Sequence, residues 1–168
     1  MENKANLDKL LEESIRLELL VSDLYLYYHV IFEDHKDFWW AMTHEEKNHA
    51  SILKSCRLFL DLNKLPERAV YENIEAIRNM RASVGDFLKK CRTNEVSMKD
   101  AYAFALALEQ EASEFHFQEM LTSLSTDKII NIFQRLGKDD VDHAGRIERL
   151  MVESGFPTSS SMQESRYA

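Results

Sequence analysis

Four long segments of the chain carry apolar residues at alternating steps of three and four positions, which is the period of one face of an α-helix. These segments cover about residues 6–32, 37–62, 97–124 and 127–154. The 168 residues include 4 Gly and 2 Pro, too few for the regular turns of a sheet-rich fold. The sequence therefore predicts an all-α fold, with residues 1–157 as one four-helix bundle and residues 158–168 as a disordered polar tail.

The connection between the second and third segments is long. It contains about 35 residues, enough to span a bundle of ~26-residue helices from end to end. The second and third helices are therefore predicted to run parallel, joined by a long crossover rather than by a tight turn. Residues 70–92 have a helical pattern of their own, which predicts an additional helix within the crossover.

Charge and cysteine content argue against several classes of protein. The chain carries 21 Lys+Arg against 29 Asp+Glu, a formal net charge of −8, so no nucleic-acid partner is expected. No apolar run approaches the ~18 residues of a membrane span, and the charged N-terminus is unlike a signal peptide. Cys56 and Cys91 form no CxxC pair that could build a rubredoxin-type site. These features predict a cytoplasmic protein without a membrane partner.

Each apolar stripe is interrupted near its middle by a carboxylate. In the second and fourth segments, a histidine on the same helix face follows three residues later. The six residues are Glu18, Glu46, His49, Glu109, Asp140 and His143. Four carboxylates in one core would repel each other, and the stripes offer no Lys or Arg to neutralise them. Two divalent metal ions would balance the four charges, so these residues are predicted to hold a dinuclear metal site.

The ligand types narrow the choice of metal. Oxygen-rich ligation with one imidazole for each metal suits two iron ions, with manganese as the alternative. Zinc fits less well, because its closed sites favour fewer and softer ligands.

The pattern of these residues resembles the ferritin-like superfamily, and within it the rubrerythrin-type di-iron carboxylate proteins. The family pattern Glu-x-x-Ala-x-x-x-Tyr in the first and third helices is similar to Glu18 with Tyr25, and to Glu109 with Ala112. The pattern Leu-Ala-x-x-Glu-x-x-His-Ala in the second and fourth helices is similar to residues 42–50 and 136–144. The resemblance covers about residues 6–154, and with no CxxC pair in the chain no rubredoxin domain is expected.

The resemblance implies a ferritin-like bundle whose di-iron centre reacts with O₂ or H₂O₂ as an oxidase or peroxidase, in oxidative stress or iron handling. It implies Glu46 and Asp140 as bridging ligands and Glu18 and Glu109 as terminal ligands, or the reverse. His49 and His143 would each supply one nitrogen to an iron. Tyr25 would hydrogen-bond to a ligand. The resemblance also implies a homodimer and a separate electron donor.

Two positions depart from the general family pattern, and a third departs from its peroxide-reducing members. Asp140 is one methylene shorter than the usual Glu. His116 stands where a Tyr is common, and would be a hydrogen-bond donor to a ligand or an extra ligand. Ala112 stands where peroxide-reducing rubrerythrins carry a further Glu ligand, which argues against peroxidase activity.

Several alternatives stay open at this point. One is a ferritin-like protein that oxidises and stores iron, and another is a dimanganese catalase-like enzyme. A third is an interaction module in which the metal has a structural role only. Glu45, Asp139 and Asp142 lie beside the ligands in sequence and are predicted to form a solvated helix face, with Asp139 as the substitute if Asp140 does not ligate.

Overall fold

The computed structural model describes the backbone of residues 2–59, 67–93, 95–121 and 128–157, and the side chains of residues 8–58, 74–93, 95–112, 131 and 135–157. Its helices are α1 (Glu2–Ile31), α2 (Lys36–Phe59), α3 (Glu67–Arg92), α4 (Met98–Leu121) and α5 (Lys128–Glu153). Over these ranges the chain has no strand, and the predicted all-α class is confirmed. The predicted tail at 158–168 lies outside the described residues.

The helices begin and end where local sequence signals predict. A single 3-10 turn, Glu33–His35, separates α1 from α2 in the gap between the first two predicted segments. Ser97 caps α4, since its Oγ accepts a 3.2 Å hydrogen bond from the backbone N–H of Asp100. Gly155 ends α5 with φ 75°, a left-handed conformation that glycine adopts at little cost. The Phe156 N–H then donates back to the Met151 carbonyl at 2.8 Å.

The direction of each helix follows from contacts at its ends. Arg57 near the end of α2 donates two hydrogen bonds, of 2.6 and 2.7 Å, to Asp8 near the start of α1, so these helices are antiparallel. At the other end of α1, the Tyr28 hydroxyl donates to the Ala101 carbonyl at the start of α4, at 3.0 Å. Both α2 and α4 therefore begin at that end and run parallel, as the long crossover predicts.

The crossover contains the additional predicted helix, α3, which packs along α1 in the same direction. Near the start of α1, the buried Glu13 pairs with Arg81 at 2.6 Å and with Arg78 at 3.2 Å. Farther along, the Tyr27 hydroxyl donates to the Cys91 carbonyl at 2.9 Å. These contacts attach α3 to the outer side of α1 at both ends.

The core contains an aromatic layer and a polar layer. Trp39, Tyr25, Tyr28 and Tyr102 are fully buried near the end where α4 begins. Ten polar or charged residues among those described are also buried, and six of them are the predicted metal ligands. No helix, over the residues described, is long and apolar enough to cross a membrane.

Candidate metal centre

The six predicted ligands converge in the polar layer, although they come from four helices. Each is at most 6% exposed. The i, i+3 spacing on α2 and α5 turns the carboxylate and the imidazole of each pair toward the same core. The six are Glu18 on α1, Glu46 and His49 on α2, Glu109 on α4, and Asp140 and His143 on α5.

Two overlapping groups within this layer could each hold a metal ion. Glu18, Glu46 and His49 bring three ligand atoms within 4.8 Å of one another, and Glu46, Glu109 and His143 do the same. All five side chains are buried, and Glu46 belongs to both groups.

The two oxygens of Glu46 face two different histidines. Its Oε2 lies 3.3 Å from His49 Nδ1, and its Oε1 lies 2.9 Å from His143 Nδ1. Glu18 Oε2 is 3.7 Å from the first nitrogen, and Glu109 Oε2 is 3.5 Å from the second. A carboxylate that shares its oxygens between two such sets has the arrangement of a bridging ligand.

Three of these ligand atoms have unsatisfied hydrogen-bonding capacity. Glu46 Oε1, His49 Nδ1 and His143 Nδ1 are buried, and within the described part of the chain none makes a hydrogen bond of good geometry, although Glu46 Oε1 and His143 Nδ1 lie 2.9 Å apart as an ion pair. Buried polar atoms in folded proteins are nearly always hydrogen-bonded or ligated. Since these atoms are an oxygen and two imidazole nitrogens at close range, a cation fits the site chemically.

The electrostatics also favour positive charge in the centre. Burial lowers the pKa of His49, but Glu18 and Glu46 outweigh it and raise the pKa to about 11. Burial also lowers the pKa of His143, but Glu109 and Glu46 outweigh this effect and raise the pKa to about 12. Without a metal ion both imidazoles hold a proton at neutral pH, so a metal ion would replace these protons.

Asp140 faces the same centre but belongs to neither group among the described residues. It is 3% exposed, and its Oδ1 lies 4.0 Å from His49 Nδ1. An Asp side chain reaches less far from its helix than the Glu of the family pattern does. The bridging roles of Asp140 and Glu46 both stay predictions, and of the two only Glu46 belongs to both groups.

Glu45 and Asp139, predicted to lie on a solvated helix face, are partly exposed, and each also contacts a histidine of the centre. The Nε2 of His143 lies 2.8 Å from Glu45, and the Nε2 of His49 lies 3.5 Å from Asp139. Both carboxylates are partly buried. Each lies one residue before a core carboxylate, on a side of its helix that is turned toward the other helix of the α2–α5 pair. Carboxylates in this position orient a ligating imidazole and increase its basicity.

A sequence signal for these two residues exists. Each core carboxylate that precedes a histidine is itself preceded by an acid, as Glu45-Glu46 on α2 and Asp139-Asp140 on α5. Each of these acids contacts the histidine of the other, antiparallel helix. That pairing can be seen only in the tertiary structure.

Tyr25 contacts a ligand, as predicted. Its hydroxyl donates a hydrogen bond to Oε1 of Glu109. Burial, together with the charges of Glu109 and Glu46, raises the pKa of Tyr25 well above its usual value, so the phenol stays protonated. The side chain of His116, the other predicted partner of the ligands, lies outside the described residues.

The centre has two unlike surroundings. On the histidine side, a polar pocket of about 240 Å³ opens between α2 and α5 and is lined by Glu45, Asp139, Asp142 and Arg146 among others. On the opposite side, a cavity of about 10 Å³ borders the four core carboxylates. Its apolar walls are Leu17, Val21, Met80, Leu108 and Ala112.

Comparison with known proteins finds no matching family model, no matching curated protein and no matching solved structure. The resemblance to ferritin-like proteins therefore rests on the sequence motifs. The predicted homodimer, the electron donor and the lack of a nucleic-acid partner all stay predictions. The chain does contain buried Glu/His groups that could hold a metal ion, and the choice of metal is open.

Proposed function

We propose that this chain is a ferritin-like di-iron carboxylate protein that reacts with O₂ or H₂O₂. The observation that carries the proposal is that Glu46 belongs to both potential metal groups and directs one oxygen to each histidine. Two metal positions that share a carboxylate are the defining feature of dinuclear carboxylate sites in helical bundles.

The donor set supports iron. Glu18 and His49 would hold one ion, Glu109 and His143 would hold the other, and Glu46 would contact both. Oxygen and imidazole donors suit Fe²⁺ and Mn²⁺, whereas the absence of thiolates in either group gives zinc no advantage. Iron would supply the redox electrons and the Lewis acidity for reducing a bound oxygen species.

The helix arrangement supports the ferritin-like part of the proposal. The helices α1, α2, α4 and α5 supply the ligands in the order single, pair, single, pair. The parallel direction of α2 and α4 requires a long crossover, which is how ferritin-like bundles differ from simple up-down bundles.

The cavity beside the carboxylates supports a small substrate. Its volume of about 10 Å³ is close to the ~10–15 Å³ that one water molecule needs. A space of this size beside buried carboxylates has room for a water-sized molecule and none for a larger organic one. The protein's own part is to hold the ligands, exclude water and keep the Tyr25 proton on the phenol beside Glu109.

Metal content per chain is the first test. The full chain is loaded anaerobically with Fe²⁺, desalted and analysed for elements, and we expect about two iron ions per chain. Glu46→Gln should lose both ions, because it removes a donor from both groups. Glu18→Gln and Glu109→Gln should each weaken one ion only.

The matched control is Glu13→Gln. Glu13 is a buried carboxylate on α1, 7% exposed, but it pairs with Arg81 and belongs to neither metal group. This variant should keep both ions. If Glu13→Gln and Glu46→Gln lost equal amounts of bound metal, the loss would reflect a general decrease in protein stability. That result would contradict the site assignment.

Reaction with the oxidant is the second test. Loaded protein with a reductant should consume H₂O₂ or O₂ catalytically, and Glu46→Gln should not. Many irons per chain would instead indicate storage, and peroxide disproportionation by Mn²⁺-loaded protein without a reductant would indicate a catalase-like enzyme. Two bound ions without any turnover would contradict the redox proposal and leave a structural metal site.

A further inference from the structure

A row of four oxidisable or basic side chains leads away from Glu109. The Tyr25 hydroxyl donates to this carboxylate, and the Tyr25 ring lies 5.2 Å from Trp39 between centroids. Trp39 lies 5.2 Å from Tyr102, again between centroids. The Tyr102 hydroxyl lies 2.7 Å from Nδ1 of His35. Each step in this row is a hydrogen-bond contact or a contact between two rings.

The row connects the buried centre with the surface. Tyr25, Trp39 and Tyr102 are fully buried, whereas His35 is partly exposed in the 3-10 turn between α1 and α2. The residues next to it, Asp34 and Lys36, are exposed. A molecule in solution could therefore approach the row at His35 without entering the metal centre.

The hydrogen bonds around Tyr102 prepare it to lose a proton when it loses an electron. The Trp39 indole N–H can only donate, and it donates to the Tyr102 oxygen at 3.4 Å. When His35 carries its ring proton on Nε2, its Nδ1 is an acceptor at 2.7 Å, and the phenol directs its own proton to that nitrogen. Burial raises the pKa of Tyr102, so the phenol is neutral before oxidation and needs a base afterwards.

This arrangement distinguishes Tyr102 from other tyrosines. Among the four tyrosines whose side chains are described, Tyr27 and Tyr28 donate to backbone carbonyls of Cys91 and Ala101, which do not accept a full proton. Tyr25 donates to a carboxylate, and the Tyr102 hydroxyl lies 2.7 Å from an imidazole nitrogen; a carboxylate and a neutral imidazole both accept a full proton. These two tyrosines flank Trp39 on either side.

We propose that Tyr25, Trp39, Tyr102 and His35 form a conduit for single electrons between the metal centre and the surface at His35. This inference rests on the proposed redox function of the centre. It identifies the place where a separate electron donor delivers electrons.

Each transfer moves one electron toward the centre and shifts one proton between Tyr102 and His35. After O₂ or H₂O₂ has oxidised the centre, Tyr102 passes one electron inward through Trp39 and Tyr25, and its phenolic proton moves to Nδ1 of His35. Tyr102 is then a neutral radical. A one-electron donor at the surface reduces it, and the proton returns from His35 to the phenol. The donor is oxidised by one electron, and the centre gains that electron.

The first experiment observes the radical directly. Iron-loaded, reduced full-length chain is mixed with H₂O₂, frozen at successive times and measured by electron paramagnetic resonance. We expect a tyrosyl radical in the parent protein and its loss in Tyr102→Phe, which removes a hydroxyl and keeps the buried ring. Tyr27→Phe is the matched control and should keep the signal, because Tyr27 lies outside the row.

His35 positions the proton of the Tyr102 phenol, and the rate of radical formation tests this role. In His35→Phe the Tyr102 radical should form about a hundredfold more slowly, the lower range of the effect of a positioned proton acceptor. A radical of unchanged amount in Tyr102→Phe would overturn the inference. So would a parent protein that binds iron and consumes H₂O₂ without forming any tyrosyl radical.

A second experiment separates the conduit from the metal site. Metal-free chain carrying Trp40→Phe, which removes an indole that is 45% exposed, is oxidised in solution by a flash-generated ruthenium(III) polypyridyl complex. We expect a tyrosyl radical that disappears when Tyr102→Phe is added. Equal radical yields with and without Tyr102 would overturn the inference. A Tyr102-dependent radical in a chain that binds no iron would support the conduit and contradict the proposed function.

Discussion

The imidazole rings of His49 and His143 lie stacked in the core, with centroids 5.4 Å apart and 17° between their planes. Each ring directs Nδ1 toward the core carboxylates and Nε2 toward a carboxylate of the other helix. Two positive rings at this distance repel each other, so the metal-free centre keeps them protonated only through the surrounding carboxylates. Metal binding and proton binding are therefore linked at this site.

The first prediction concerns proton release. At pH 7 both histidines are protonated in the metal-free chain, since their pKa values are about 11 and 12. Loading with two Fe²⁺ or Mn²⁺ ions should release about two protons per chain, because only a neutral imidazole ligates. Calorimetric titration in two buffers of different ionisation enthalpy measures the number. Release of no protons would contradict ligation by Nδ1.

The second prediction concerns the pH dependence of metal-free stability. A histidine whose pKa is higher in the folded than in the unfolded chain stabilises the fold fully below about pH 6.5, and this contribution is lost as the pH rises to the folded value. In the folded chain the pKa of His49 is raised to about 11. The free energy of unfolding of the metal-free chain should therefore fall steadily above pH 6.5, as measured by denaturant titration.

Two comparisons test the cause of that pH dependence. The metal-loaded chain should lose much less stability over the same range, because its histidines are already neutral. His44→Gln, a change at an exposed histidine on α2, should leave the metal-free profile unchanged. A profile that rises above pH 6.5 in the metal-free chain would contradict the raised pKa values.

The third prediction concerns the carboxylates that contact the outer nitrogens. Glu45→Gln should weaken binding of the ion at His143 by about 10–100-fold, since such a carboxylate fixes the ring and increases its basicity. Asp139→Asn should have a smaller effect at His49, because its contact is 3.5 Å rather than 2.8 Å. Competition with a metal chelator measures both affinities.

Asp142→Asn is the control for these variants. Asp142 lines the same pocket and lies 3.7 Å from Arg146, which also pairs with Glu45. The control should keep metal affinity within the error of the parent value. An equal loss in all three variants would point to the overall charge of the pocket rather than to contacts with the rings.

The fourth prediction concerns the shortened ligand. Asp140→Glu adds one methylene to a carboxylate whose Oδ1 lies 4.0 Å from His49 Nδ1. We expect about tenfold tighter metal binding, equivalent to ~1.4 kcal/mol, measured as a larger rise in melting temperature on metal loading. The metal-free variant should be less stable than the parent, because an extra methylene in a packed core costs about 1–3 kcal/mol. Weaker metal binding in this variant would argue against Asp140 as a ligand.

Local sequence relationships predicted much of this protein. The cap at Ser97, the stop at Gly155 and the placement of Glu46 with His49 on one face all depend on residues within four positions of each other. Helical geometry is set by such short separations, so the sequence by itself determined the helices of the described ranges and the six polar residues turned toward the core.

The tertiary structure decided which side chains meet across helices. The contact of Glu45 with His143 spans α2 and α5, and the contact of His35 with Tyr102 joins residues 67 positions apart. Neither follows from periodicity, because the rotation and stagger of packed helices depend on how all their side chains interdigitate. The same packing gave each oxygen of Glu46 a different histidine and so placed five of the predicted ligands in two overlapping groups that could each hold a metal ion.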